Sequence, residues 1–380
     1  MSFTVCVGCY TLRYIAGGAY MWMFLNWVLG FQALGCRVIW LDSSDIGRAP
    51  DAVARDVELL RRRLVPYGLD RDLSVIYRDG TPVPRTTDAA EWRDLDGARS
   101  ADLFVNLGYD LSRSVRESFR RAAFVDIDPG LTQLWAHAGQ LDIGSHNIYF
   151  TLGETVGQPG SRIPTCGVRW LHVPPPVFLP AWPMARAHDE APYTTVSNWW
   201  DANGWLDVDG TLVDNSKRSA FLEYLELPSH TKARLELALP LAPDHDPTGD
   251  LQTLARNGWR VRHVSGVSGC PDAHRRYVQG SRGEFSCMKR GYRLLQTAWI
   301  GERSVNYLAS GKPVIVEHTG PSRILPDAEG LFRFRNPEQA SAALRAVESD
   351  YPRHARAARA LAETYFDAVN VARAVAERAA

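Results

Sequence analysis

Short β-branched and aromatic runs alternate along this chain with longer stretches in which apolar residues recur at helical spacing. Phe3 to Val7 is the first such run, and Thr11 to Gly18 is a loop closing on a glycine pair. A nearly all-apolar helix is predicted from about Ala19 to Leu34, stopped by Gly35. Arg37 to Leu41 reads as the next strand, followed by an amphipathic helix with Val53, Val57, Leu60 and Leu64 on one face. Ser74 to Tyr77, Ala101 to Leu107, Ala122 to Ile127 and Ile148 to Leu152 continue the strand series. Strands separated by helices require crossovers, and hence a parallel sheet.

Pro174, Pro175, Pro176, Pro180, Pro183 and Pro192 then crowd into nineteen residues. That density excludes a helix and a central strand, so 176–192 reads as a linker. The alternation restarts with Tyr193 to Ser197, Leu235 to Leu239, Arg260 to Val264 and Pro313 to Glu317. The expected fold is therefore α/β: two Rossmann-like domains, 1–175 and 193–350, facing across a cleft, with C-terminal helices over 351–380. In such sheets ligands meet strand C-termini and helix N-termini.

Composition narrows the function. The chain has 380 residues, and 43 basic side chains balance 43 acidic ones. A net charge of zero argues against a nucleic-acid partner. Only four of the basic residues are lysines, a bias that, with the many alanines, reads as a GC-rich genome and not as a binding face. Twelve tryptophans suit flat, amphipathic ligands such as sugars, although many must be core. The six cysteines are too dispersed for a disulfide framework, and Cys6 and Cys9 lie on opposite faces of a predicted strand. Met1 to Tyr10 carries no basic n-region, and Ala19 to Gly35, broken by Asn26 and Gln32, is short for a membrane span. A cytoplasmic location is expected. Nothing in the sequence sets the oligomeric state.

The segment from Tyr277 to Pro326 is richest in chemistry. A Ser-Arg-Gly-Glu turn is expected to follow a strand and open a helix that turns Phe285, Met288, Tyr292 and Leu295 inward. A second turn, Trp299 to Ser304, opens another helix. Two glycine-flanked helix starts offer free N–H groups to a phosphate, with Arg282, Lys289 and Arg303 adding charge.

That order resembles the donor domain of GT-B glycosyltransferases, whose retaining members carry E-G-F-G-L-x-x-x-E-A-M-A-x-G-x-P-V. Trp299-Ile300-Gly301 matches the glycine turn, and Ala309 to Val314 matches the end. Further segments are similar to bacterial glycosyltransferase-like chains: D-I-D-P-G-L-T-Q at 126–133, F-T-L-G-E at 150–154, I-P-T-C-G at 163–167, Y-T-T-V-S-N-W at 193–199 and E-F-S-C-M-K at 284–289. The resemblance implies hexosyl transfer from a nucleotide sugar, which serves as co-substrate with no further cofactor, and the lack of a convincing metal cluster beside two helix N-termini leads to the expectation of turnover without a divalent ion. It also implies a small-molecule acceptor, of the kind met in bacterial natural-product biosynthesis. Donor contacts are expected from Gly17, Gly18, Ser281, Arg282, Glu284, Lys289, Gly301, Glu302, Arg303, Ser304, Asn306, Thr319 and Gly320. The two glutamates of the pattern fall on Ala298 and Asn306. Asn306 can still hydrogen-bond a ribose hydroxyl, but Ala298 cannot touch the sugar, so retaining stereochemistry does not carry over.

Asp128, His146 and Glu154 are the candidate catalytic residues, with Asp128 favoured as the base that takes the acceptor's proton. A helix cap is the competing role for Asp128. Tyr20, Trp22 and Trp135 are candidate acceptor walls. D-x-D, a metal signature of the GT-A fold, occurs at 126–128, 207–209 and 244–246, and three hits of so loose a pattern argue for none. Two other readings compete. An NAD(P)-dependent oxidoreductase would want G-x-G-x-x-G after the first strand, where A-G-G-A-Y stands. A non-catalytic sugar-nucleotide-binding homologue would explain the missing glutamates.

Overall fold

The computed structural model describes residues 3–85, 92–200, 204–208 and 210–379. The chain divides into two compact units, Met1–Phe178 with Ala368–Ala380, and Leu179–Asp367. In the first, β1 (Thr4–Cys9), β2 (Arg37–Ser44), β3 (Leu73–Tyr77), β4 (Leu103–Asn106), β5 (Ala122–Asp126), β6 (Ile148–Thr151) and β7 (Trp170–His172) form one sheet. Its order is β3-β2-β1-β4-β5-β6-β7, and every pairing is parallel. The second unit holds β8 (Tyr193–Val196), an antiparallel ribbon of β9 (Trp205–Val208) and β10 (Thr211–Asp214), β11 (Leu235–Leu239), β12 (Arg260–His263), β13 (Gly283–Ser286), β14 (Val314–Glu317) and β15 (Leu331–Phe334). Its six-stranded sheet runs β12-β11-β8-β13-β14-β15, again all parallel. Each sheet thus starts in its middle, winds one way and then reverses. The reversal falls between β1 and β4 in one unit and between β8 and β13 in the other.

The runs expected as strands are strands, and the central ones are largely apolar because both their faces are covered, whereas β12 at the sheet edge reads Arg-Val-Arg-His. Five short strands escape that signal, the ribbon strands β9 and β10 among them. β13 reads Gly-Glu-Phe-Ser, so half its side chains are polar, and the expected turn at 281–284 is in fact the entry to this strand. The segment before it is the helix Pro271–Gly280, with proline in the first turn. β7 and β15 lie at the sheet margins and are only three and four residues long.

The proline-rich stretch is packed rather than a free linker. Val177 and Trp182 have no exposed surface. The Trp182 carbonyl accepts from Arg359 Nη1 at 2.8 Å, and that of Pro183 from Gln279 Nε2 at 3.2 Å. Side chains here replace the backbone partners that proline denies.

The C-terminal helices divide between the two units. Helix Tyr351–Tyr365 belongs to the second unit, whereas Ala368–Ala379 joins the first. This last helix lies against helix Gly18–Ala33, so closely that a Cβ on Gly30 would stand 2.5 Å from the Ala368 carbonyl oxygen. Covered on both sides, Gly18–Ala33 is apolar all round and buries Trp22, Phe24, Trp27 and Phe31 completely. Trp22 is therefore core and not an acceptor wall. Among the described residues no helix is long and apolar enough to cross a membrane. All six cysteines are free thiols, with Cys6 and Cys9 buried in β1.

Candidate functional site

Arg303 marks the chemistry of the second unit. It is the second residue of helix Glu302–Ala309, whose N-cap is Gly301. Its Nε donates to Glu284 Oε1 at 2.9 Å, Nη1 to the Val196 carbonyl at 2.7 Å and Nη2 to Ser286 Oγ at 3.0 Å. Val196 ends β8 and Ser286 ends β13, so the guanidinium bridges the reversal point at the C-terminal edge of the sheet. Doubly wound sheets bind ligands there. A guanidinium has five N–H donors, and these bonds use three.

Lys217 joins it. Ser216 caps the helix that starts at Lys217 by accepting from Ser219 N, and Lys217 Nζ donates to the Cys287 carbonyl just beyond β13. Lost hydration, together with the neighbouring Arg303 and Lys289 charges, pushes the Lys217 ammonium down to about 7. Lys289 itself is the N-cap residue of helix Arg290–Leu295. Three cationic side chains thus share one edge, beside a helix start whose N–H groups have no side-chain cap. Ser304 Oγ, buried in the first turn of that helix, has no hydrogen-bond partner among the described residues.

The glycine turn before the helix is held in an unusual shape. Gln296 and Ala298 have φ of 53° and 54°, in the left-handed region. Thr319 Oγ1 donates to the Trp299 carbonyl at 2.6 Å, and Ala298 N donates to the Thr319 carbonyl at 2.9 Å. Gly320, at φ 135°, packs so tightly that a Cβ would lie 2.5 Å from the Gln296 carbonyl oxygen. Thr319 and Gly320 therefore brace this turn. Beside it, buried Glu317 accepts from Met288 N, Arg293 Nη1 and Tyr224 Oη at 2.8, 2.8 and 3.0 Å.

Several expected donor contacts belong elsewhere. Ser281 and Arg282 precede β13 and so stand at the opposite edge of the sheet. Arg282 Nε and Nη2 grip Glu348 at 3.0 and 2.8 Å, and its guanidinium lies 3.6 Å over the Tyr351 ring. Ser281 Oγ bonds Thr194 Oγ1 at 2.6 Å. Glu284, with no exposed surface, is the counter-ion of Arg303, not a free sugar ligand. Asn306 is 2% exposed, so its amide does not reach the surface of the strip. Glu302 opens the helix as its first residue.

A diphosphate entering beside Lys217 would favour the ammonium form. At pH 8 the free protein holds this amine mostly neutral, so binding should take up a proton; at pH 6 it is already charged. The heat of nucleoside diphosphate binding at pH 8 is therefore expected to vary with buffer ionisation enthalpy in the wild type and not in Lys217→Met. Equal dependence in both proteins would take Lys217 out of the site.

In the first unit, Gly17 is the N-cap of helix Gly18–Ala33 and offers no side chain to its first N–H groups. Polar groups collect at the strand ends. Asp126, with no exposed surface, accepts from Gln133 Nε2 at 2.8 Å, Thr151 Oγ1 at 2.7 Å and Asp128 N at 3.1 Å, while burial raises its pKa to about 6. Asp128 is half-buried, and its Oδ2 accepts from Tyr109 Oη at 2.5 Å. The cap of helix Leu131–His137 is Gly130, so Asp128 is not that cap.

His146 is not a solvated side chain. Nδ1 donates to the Ile143 carbonyl at 3.0 Å, which leaves Nε2 to accept from Asn106 Nδ2 at 3.0 Å, and burial pushes its pKa down to about 4. A weakly basic imidazole with its lone pair engaged is a poor proton acceptor. Glu154 follows β6, close enough for its charge to act on His172. Trp135 meets Tyr109 edge to face, with ring centroids 6.5 Å apart, while Tyr20 stacks on Tyr14 at 4.2 Å. Of the D-x-D pairs, Asp246 accepts from Asp250 N and Leu251 N at a helix start, and Asp209 lies outside the described residues. Among the described residues no three His, Cys, Asp or Glu side chains are grouped to hold a metal ion.

No protein-family model matches the sequence, and no curated protein matches it. Solved structures do. HepE of Anabaena, in complex with UDP and glucose, aligns over 98% of both chains at 11% identity, with a TM-score of 0.57. An alpha-glucosyltransferase bound to UDP and a 13-mer DNA aligns over 100% of this chain and 99% of its own, at 9% identity and a TM-score of 0.61. AviGT4, a glycosyltransferase involved in avilamycin A biosynthesis, aligns over 99% and 97% at 15% identity and a TM-score of 0.51. The fold is GT-B. A GT-B chain carries two Rossmann-like units, in line with the strand orders described above.

Lys217, Ser286, Tyr109 and Asn106 were not legible as site residues. One signal for Lys217 was present: in a chain with four lysines, two, Lys217 and Lys289, stand at this edge.

Proposed function

We propose that this chain is a glycosyltransferase that moves a sugar from a uridine-diphosphate donor to a small-molecule acceptor, without a divalent metal. The observation that carries the reading is Arg303 bridging the ends of β8 and β13, with Lys217 and Lys289 beside it. Fixed cations and helix N–H groups neutralise the donor diphosphate and stabilise the negative charge that grows on it as the glycosidic bond breaks. The GT-B neighbours, solved with UDP or UDP-glucose, support the choice of nucleotide.

The acceptor belongs to the first unit in this proposal, near Asp128 and Tyr109. Asp128 is the base, since His146 is neutral and engaged. A neutral overall charge favours a small acceptor over nucleic acid, although one neighbour was solved on DNA. The bacterial natural-product setting rests on the likeness to AviGT4.

A thermal-shift panel of UDP, TDP, GDP and ADP sugars with NAD(P) tests the reading, because a selective ligand raises Tm by mass action. UDP sugars should stabilise the protein and NAD(P) should not. Sugar release from UDP-glucose should persist in EDTA, and its complete, reversible loss there would restore a metal-dependent mechanism. Stabilisation by UDP sugars with no transfer to any acceptor would favour the non-catalytic homologue.

A further inference from the structure

A cavity of about 390 Å³ opens in the second unit toward the strands' N-terminal ends, lined by residues that take no part in the Arg303 strip. Its volume falls within the ~300–1,000 Å³ range of small-molecule sites. Arg260 and Arg262 stand two apart on the edge strand β12, so both side chains leave the same face of the sheet. Helix Pro271–Gly280 presents Ala273, Arg276, Tyr277 and Gly280 to the same space, as its i, i+3, i+4, i+7 face.

The charges here do not cancel. Glu236, 3% exposed on β11, accepts from Tyr277 Oη at 2.9 Å and pairs with Arg260 Nη2 at 3.3 Å. Both its oxygens are thereby engaged. Arg262 and Arg276 have no ion pair among the described residues, so three guanidiniums face one carboxylate and two positive charges remain. Pro192, Val267 and Ala273 form an apolar wall beside them.

We propose that this cavity is a second ligand site, for a small phosphate monoester. Its doubly charged phosphoryl group sits between Arg262 and Arg276, and its ester substituent lies on the Val267–Ala273 wall. Two charges match a monoester dianion better than a singly charged diester, and guanidinium forks suit phosphate oxygens.

Phenyl phosphate is the probe, titrated by calorimetry into the full chain with UDP in excess to fill the proposed donor strip. Saturable binding is expected, with dimethyl phosphate at least about fivefold weaker. Arg262→Gln/Arg276→Gln should weaken phenyl phosphate by more than about tenfold, the loss of charge-assisted hydrogen bonds. Both side chains are exposed, so thermal melts should match the wild type. No saturable binding in the presence of UDP, or equal affinity in the double variant, would overturn the proposal. Tighter binding of a 13-mer DNA duplex than of phenyl phosphate, lost in the same variant, would overturn it in favour of a nucleic-acid contact.

Discussion

Arg303→Ala should cost the protein twice. Donor affinity is expected to fall by about 1–3 kcal/mol through the lost charge-assisted bonds to phosphate. Folding stability should fall by roughly 3–5 kcal/mol as well, because removal of one partner strands a buried charge, here Glu284. The two effects can be separated. Arg303→Met with Glu284→Gln removes the ion pair as a unit and should recover much of the melting temperature, yet UDP should still bind weakly. Chemical denaturation reads the folding stability and calorimetry the donor affinity. Wild-type UDP affinity in the double variant would reduce Arg303 to a structural strut.

The second large effect belongs to Asp128. If its carboxylate takes the acceptor's proton in the transition state, Asp128→Asn should lower kcat by roughly 10²–10⁴ and leave donor affinity unchanged. Tyr109→Phe removes the 2.5 Å hydrogen bond to that carboxylate and should lower kcat less than Asp128→Asn does. Near-normal kcat with a lowered melting temperature in Asp128→Asn would assign the residue to packing alone.

The sequence carried the architecture more fully than the site. Runs such as Arg37 to Leu41 and Leu235 to Leu239 are apolar because both faces are covered, and that burial writes itself into composition. β13 is hidden for the converse reason. Glu284 and Ser286 are spent on Arg303, nineteen and seventeen positions away, and a polar side chain in a strand carries no sign of its partner. Arg282 was misplaced by the same shift: once the strand begins at Gly283, its neighbour must stand at the far edge. The glycine turn at 299–301 was legible as a local pattern, whereas Thr319 and Gly320 brace it through contacts that only folding brings together. His146 could be found but not weighed, since its engagement depends on Asn106, forty residues earlier.

The return of helix Ala368–Ala379 to the first unit has a consequence for biosynthesis. Residues 1–178 emerge from the ribosome before the whole of the second unit, but the helix that covers Gly18–Ala33 is made only after it. At ~5–20 residues per second, the interval is on the order of ten seconds or longer. During it the side of that apolar helix facing Ala368 has no cover, and the nascent first unit is exposed to chaperones and to aggregation. Completion of the first unit before the second is therefore closed to this chain. The first unit can be completed only after the second has been synthesised, through contacts that join residues more than three hundred positions apart, Gly30 and Ala368 among them.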